Sequence, residues 1–179
     1  MTALRILLAF AMLVTASLTA TVASAAETFT FEDYFRGKTV GYGRFTAING
    51  LDRSFKVDLN GIWNGKTLKL IEKFIYDDGE RDTKIWYFTK TAPGRYTGTR
   101  DDVEGTAEVR IRGNTARFGY KLFLDAENRS NKVRFRDKMV LKDDGTVLNT
   151  ATVFKTILPV GRVTVVFARP KDAHKLKRP

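Results

Sequence analysis

The sequence predicts an all-β protein: an up-and-down antiparallel β-barrel of about ten strands with a short N-terminal helix. Three observations predict it. From Thr39 onward apolar residues recur with a period of two, turn-forming clusters fall roughly every eight to twelve residues, and no stretch supplies the long helix that a parallel crossover requires.

An N-terminal segment precedes the pattern. A single charge, Arg5, is followed by an apolar run from Ile6 to Val14 and by small residues ending Ala23-Ser24-Ala25, the layout of a secretory signal peptide. The run is shorter than the roughly 20 residues that span a bilayer. Residues 1–25 are therefore expected to be removed, leaving a soluble exported protein, periplasmic in a Gram-negative cell. The remaining chain divides into one barrel domain, residues 26–169, and a basic tail, residues 170–179, expected to be disordered.

The helix comes first. Thr30-Phe31-Glu32-Asp33 has the form of a capping box, Phe31 and Phe35 share a face, and Gly37 can end the segment in a left-handed conformation. Strands follow between Asn49-Gly50, Asn64-Gly65, Asp77-Asp78-Gly79, Ala92-Pro93-Gly94, Gly113-Asn114, Asp143-Asp144-Gly145 and Leu158-Pro159. A two-residue turn at Gly113-Asn114 opposes Ile111 to Ala116 and Val109 to Phe118. Between Lys132 and Lys142, Val133, Phe135, Asp137, Met139 and Leu141 alternate with mostly basic residues. Sequential strands with one apolar face must close or stack, because an open sheet of that width leaves two edges and a bare apolar face. Hairpin connections favour closure, with the helix covering one end; a two-sheet sandwich is the alternative.

The mature part resembles a known family. Tyr34-Phe35-x-Gly37, Gly61, Glu72-x-Phe74, Tyr76-Asp77-Asp78-Gly79-Glu80, Trp86, Tyr96-x-Gly98-Thr99, Asp102-Val103-x-Gly105-x-Ala107, Tyr120-x-Leu122, Asp137, Asn149, Lys155 and Gly161 are similar to the pattern of a proteobacterial envelope family catalogued as a domain of unknown function. The resemblance implies a lipocalin-like (calycin-type) barrel in the cell envelope and supplies no activity. Many relatives are lipoproteins; this sequence departs from them in lacking cysteine, and it carries Lys138 where the family pattern has a tryptophan.

Composition narrows the chemistry. The 179 residues include no cysteine and one histidine, with a formal charge of +11. That excludes disulfides, thiol nucleophiles and Cys-ligated metals. After the signal segment the serines are Ser54 and Ser130 and the histidine is His174 in the tail, so a Ser-His-acid triad lacks parts. No glycine-rich phosphate loop precedes a helix. The paired acids at Asp77-Asp78, Asp101-Asp102 and Asp143-Asp144 read as turn chemistry before metal ligands. No cofactor, metal or catalytic constellation is assigned.

The informative residues are charges whose parity places them on the apolar face. A three-residue loop at Asp77-Asp78-Gly79 sets Glu72 opposite Lys84 and Leu70 opposite Trp86; one at Ala92-Pro93-Gly94 sets Trp86 opposite Arg100 and Lys84 opposite Asp102. A two-residue turn at Asn49-Gly50 turns Tyr42 and Arg44 inward, and Asn149 and Lys155 share the face of Asp137. The predicted site is Tyr42, Arg44, Glu72, Lys84, Trp86, Arg100, Tyr120, Asp137 and Lys155. One reading is a cavity whose cationic surplus holds the polar head of a hydrophobic, anionic, lipid-related small molecule. The other is a self-compensating ion network with no ligand, in an envelope accessory protein acting through its surface. For that second case, the outward row Lys132, Arg134, Arg136 and Lys138 offers a contact for an anionic membrane. Nucleic acid is not expected as a partner, and the protein is expected to be monomeric.

Overall fold

The computed structural model describes residues 28–125 and 128–177; the predicted signal segment lies outside them. One α-helix, α1 (Phe31–Phe35), precedes eleven strands: β1 (Gly37–Ala47), β2 (Asp52–Trp63), β3 (Thr67–Tyr76), β4 (Arg81–Ala92), β5 (Arg95–Thr99), β6 (Val103–Glu104), β7 (Ala107–Arg112), β8 (Thr115–Phe123), β9 (Lys132–Leu141), β10 (Val147–Lys155) and β11 (Leu158–Ala168). All pairings between them are antiparallel, and β8 pairs with β9 to close the sheet. The two-residue β6 and β7 lie end to end along one edge of β8, with Gly105 at φ +69° between them. Eleven strands therefore make a ten-stranded closed barrel, the all-β fold the alternation predicts.

Closure leaves two unequal ends. At one end the chain enters through α1. Thr30 caps it, its hydroxyl accepting from the Asp33 amide at 3.2 Å, and Gly37 leaves it at φ +82°. A five-residue helix has no stability of its own. It is held because Phe29, Phe31, Tyr34 and Phe35 are buried against Phe88, Tyr96, Phe118 and Phe167. Burial of each such ring stabilises the fold by roughly 2–3 kcal/mol. Gly61 permits the approach: a Cβ there would sit 1.9 Å from the Phe35 carbonyl oxygen. Tyr34 donates its hydroxyl to the carbonyl of Phe167 at 2.9 Å, and Glu32 accepts from Tyr96 and Lys90.

The tail departs from expectation. Pro170–Lys175 form a 3-10 helix against the same end, with Arg169 donating to the Asp33 carbonyl at 2.8 Å and Lys175 to that of Asp144 at 2.5 Å. Lys175 within it and Arg169 just before it find carbonyl acceptors, an outcome that charge content alone does not reveal.

Registers separate the right turns from the wrong ones. Asp77-Asp78-Gly79 behaves as a three-residue loop: Glu72 faces Lys84 and Leu70 faces Trp86. Ile111 faces Ala116 as expected. The turn predicted at Asn64-Gly65 moves one residue on, to Gly65-Lys66, and Leu59 faces Glu72; the resulting two-residue shift in pairing keeps every side chain on its face. The β1–β2 loop is different. Ala47 bonds to Leu51 and Thr46 pairs with Asp52, making Ile48-Asn49-Gly50 a three-residue loop. That extra residue turns β1 over: Gly43, not Arg44, stands opposite Phe55. Pro159 is not in a turn either. It is the second residue of β11, opposite Phe154 and beside an irregularity at Val153/Phe154, and the hairpin loop is Thr156-Ile157.

Candidate functional site

The barrel is hollow. A cavity of about 530 Å³ runs from the floor formed by Phe31, Phe35, Phe88 and Phe118 toward the opposite end, where Leu51, Arg53, Asp82, Lys84, Asp102 and Leu124 line it. Mouth residues belong to the β1–β2 loop (Leu51), the first residues of β2 (Arg53) and β4 (Asp82, Lys84), the turn after β5 (Asp102) and the loop after β8 (Leu124), all at the end away from α1. One wall is apolar. Phe55, Val57, Val163, Val165 and Phe167 come from β1's neighbours β2 and β11 and Phe74 from β3, and β1 itself passes Gly41 and Gly43 beneath them, whose missing Cβ atoms leave room for the Phe167 and Phe55 rings.

The other wall is polar within an aromatic frame. The Arg100 guanidinium lies 4.7 Å from the Trp86 ring centre and 5.8 Å from that of Tyr120, a cation–π arrangement. It donates to Asp102 at 2.5 Å and approaches Glu72 at 4.0 Å. Lys84 stands 3.1 Å from both Asp82 and Asp102. Thus the expected Glu72–Lys84 ion pair is absent although the two residues face each other in register: Lys84 reaches toward the mouth, and the cation nearest Glu72 is Arg100. Farther round the barrel Asn149 donates its amide to Asp137 at 2.9 Å. Each is only 7% exposed, and Asp137 Oδ2 and Asn149 Oδ1 have no hydrogen-bond partner.

Burial sets the protonation. It pushes the Glu72 carboxyl up to about 7, against the pull of Arg100, with Asp137 adding to the rise. The Asp137 carboxyl is likewise pushed up to about 7 by burial, which outweighs its hydrogen bond from Asn149 and the charge of Arg100. Asp102 goes the other way: despite burial, Arg100 and Lys84 hold it below the usual carboxylate range.

Of the nine predicted site residues, Glu72, Lys84, Trp86, Arg100, Tyr120 and Asp137 line this one cavity. Three do not. Tyr42 and Arg44 line a shallow groove on the outside of the barrel with Arg162 and Thr164, because the longer β1–β2 loop inverted their strand. Arg44 pairs there with Asp52 at 2.5 Å. Lys155 ends β10 at the rim, exposed, and donates to Asn131 at 2.8 Å. With Arg44 and Lys155 outside, the predicted cationic surplus disappears: four carboxyl side chains, Glu72, Asp82, Asp102 and Asp137, and three cations, Arg53, Lys84 and Arg100, line the cavity. Arg53 is itself engaged with Asp78 at 2.7 Å and Glu80 at 2.9 Å.

Sequence reasoning missed Arg53 and Asp82 at the mouth and left Asn149 out of the site, although its parity with Asp137 was readable. The outward basic row is largely committed: Lys132 pairs with Glu104, and Arg134 and Arg136 each lie 5.1 Å from the Phe154 ring centre. The acid pairs act in turns, Asp78 accepting from the Glu80 amide at 3.0 Å and Asp144 from that of Thr146 at 2.9 Å.

A closed antiparallel barrel around an internal cavity defines the lipocalin-like architecture. Residues 9–169 match the family described as "Protein of unknown function (DUF3833)", and the chain belongs to that family. No curated protein matches it. Among solved structures it is similar to the S-type phycobiliprotein lyase CPES from Guillardia theta, at 8% identity and a TM-score of 0.53, covering 76% of this chain and 88% of that one. It is also similar to a redesigned β-barrel, mFAP1, bound to DFHBI, at 11% identity and a TM-score of 0.40, over 82% of this chain and 100% of that one. The first likeness shows a shared fold.

Proposed function

We propose that this protein binds a hydrophobic small molecule inside the barrel, as a periplasmic carrier or store of an envelope-lipid-related compound rather than an enzyme. The observation that carries the reading is the cavity of about 530 Å³, open at one end and lined on one side by phenylalanine, leucine and valine. Its size lies in the range of pockets that enclose small ligands. A packed barrel of the same alternation would have no such space. The polar wall gives a bound molecule one end to orient by. The leader pattern of residues 1–25 supports export, and no serine, threonine, cysteine or histidine stands among the cavity-lining residues to pair with Glu72 or Asp137 as acid or base.

Native mass spectrometry of the full-length gene product, recovered from the periplasmic fraction, tests both parts. The expected spectrum shows a chain beginning at Ala26 and a population carrying a hydrophobic adduct that Ala151→Phe together with Val165→Phe eliminates. A protein that emerges only adduct-free, and that takes up no apolar probe, overturns the binding reading; retention of residues 1–25 in the cytoplasmic fraction overturns the export reading.

A further inference from the structure

The cations of the cavity's polar wall are all spoken for, and this bears on the ligand's polar end. Arg53, Lys84 and Arg100 are each already engaged by carboxylates. Asp137 and Asn149, by contrast, are more than nine-tenths buried, line the cavity, and satisfy each other with a single bond, leaving one acceptor oxygen on each without a partner. A buried acceptor left in this state has lost its hydration without a replacement, and a ligand that donates to it restores that bond. Glu72 stands on the opposite side of the cylinder, on β3, five strands from β9 in either direction round the ten-stranded barrel. Its nearest cation, Arg100, stands 4.0 Å away and is already bonded to Asp102.

Resting on the reading of the cavity as a binding site, we infer that the Asp137–Asn149 pair receives a hydrogen-bond-donating group of the ligand, an alcohol or an amine, and that the site discriminates against carboxylates. An ammonium placed between the two free oxygens has a hydrogen for each, and a hydroxyl has one to give to either. A carboxylate placed there faces two acceptors and the negative charge of Asp137, with no uncommitted cation to receive it. This is the opposite of the anionic head that a cationic surplus would favour, and it follows from Arg44 and Lys155 lying outside.

The discrimination also depends on the proton. With Asp137 ionised the pair only accepts at its free oxygens. Once protonated, the carboxyl can itself donate, so the preference between donor and acceptor ligands narrows.

Decan-1-ol, decylamine and decanoate form a matched set with one chain length. Each is titrated against the mature protein loaded with the neutral fluorophore N-phenyl-1-naphthylamine, at pH 8 and pH 5.5. At pH 8 decanol and decylamine are expected to displace the fluorophore at least tenfold more effectively than decanoate. Replacing both partners, Asp137→Leu with Asn149→Leu, is expected to remove that preference while the fluorophore still binds. Should the double variant fail to fold, the isosteric Asp137→Asn serves, and it should remove the preference for decylamine over decanoate, which draws on the Asp137 charge. Decanoate displacing as well as the other two in the wild type, or a preference that survives these substitutions, overturns the assignment while leaving the cavity reading intact. A fluorophore that never binds, with none of the three ligands protecting the fold against heat, overturns the binding reading itself.

Discussion

Tyr96 donates its phenolic hydrogen to the Glu32 carboxylate at 2.5 Å, and through that bond the wall of the barrel grips the helix that floors it. Lys90 holds the other oxygen at 2.5 Å, so Glu32 is bonded from two strands at once. Despite burial, the bonds from Lys90 and Tyr96 hold the Glu32 carboxyl below its ordinary value. Its contribution to stability is therefore present above the carboxyl's unfolded value and is lost as pH falls through the folded one. Glu32→Ala is expected to destabilise the protein by about 3 kcal/mol at pH 7, since it leaves a partly buried Lys90 and a buried phenol unpaired. Tyr96→Phe should cost about 1 kcal/mol. Urea denaturation measures both; an unchanged midpoint for Glu32→Ala would show that the aromatic packing alone holds the floor.

Glu72 and Asp137 predict the reverse pH dependence. Both fold with carboxyls raised to about 7, so the native state binds protons more tightly than the unfolded chain. Stability from this source is fully present below the unfolded carboxyl values and is lost as pH rises through about 7. The melting temperature of the ligand-free protein should fall between pH 5 and pH 8. Glu72→Gln and Asp137→Asn should each flatten the curve, and Glu72→Gln should equal or exceed the wild type at pH 8. A steeper decline in either variant would mean that these carboxylates are stabilised, not strained, by their surroundings.

Arg100 is the cation on which the polar wall depends. Arg100→Met preserves the stem packed against Trp86 and Tyr120 but leaves Glu72 without its nearest positive charge. A loss of about 3 kcal/mol is expected at pH 8, shrinking by pH 5.5 as Glu72 and Asp137 take up protons. An equal loss at both pH values would assign the effect to ring packing and not to charge.

The glycines make a steric prediction. Gly61→Ala drives a methyl into the Phe35 carbonyl, which is backbone and cannot rotate away, so α1 must lift from the floor. Gly43→Ala meets the tip of the Phe55 ring, with the nearest carbon 2.5 Å away, and that ring can swing into the cavity. The first should cost several kcal/mol; the second should cost less stability yet weaken binding of an apolar fluorophore. Equal effects on stability would count against the difference between a backbone and a side-chain neighbour.

Much of this architecture was readable because strand alternation survives errors of two residues. The Asn64-Gly65 turn was misplaced, yet Glu72, Leu70 and Phe74 stayed on the inner face. An error of one residue at Asn49-Gly50 was enough to send Tyr42 and Arg44 to the wrong side. The correcting signal was in β1 itself, where Thr39, Gly41 and Gly43 alternate with Val40, Tyr42 and Arg44. Inward glycines carry no hydrophobic signature, so the outward face looked like the apolar one. Their purpose appears only when the Phe55 and Phe167 rings are seen above them. Likewise the register placing Lys84 opposite Glu72 was correct, but strand pairing fixes where a side chain starts and not where a flexible ammonium ends, and the ammonium chose Asp82 and Asp102. Contacts between distant segments, such as Glu32 with Lys90 and Tyr96, lie beyond any local pattern.

The floor built by α1 has a kinetic meaning. With Phe31 and Phe35 sealing the cylinder, the barrel is a cup and not a tube: a molecule must leave by the way it came. A newcomer cannot push out an occupant from behind, so exchange is sequential, and the dwell time of one guest sets the waiting time of the next.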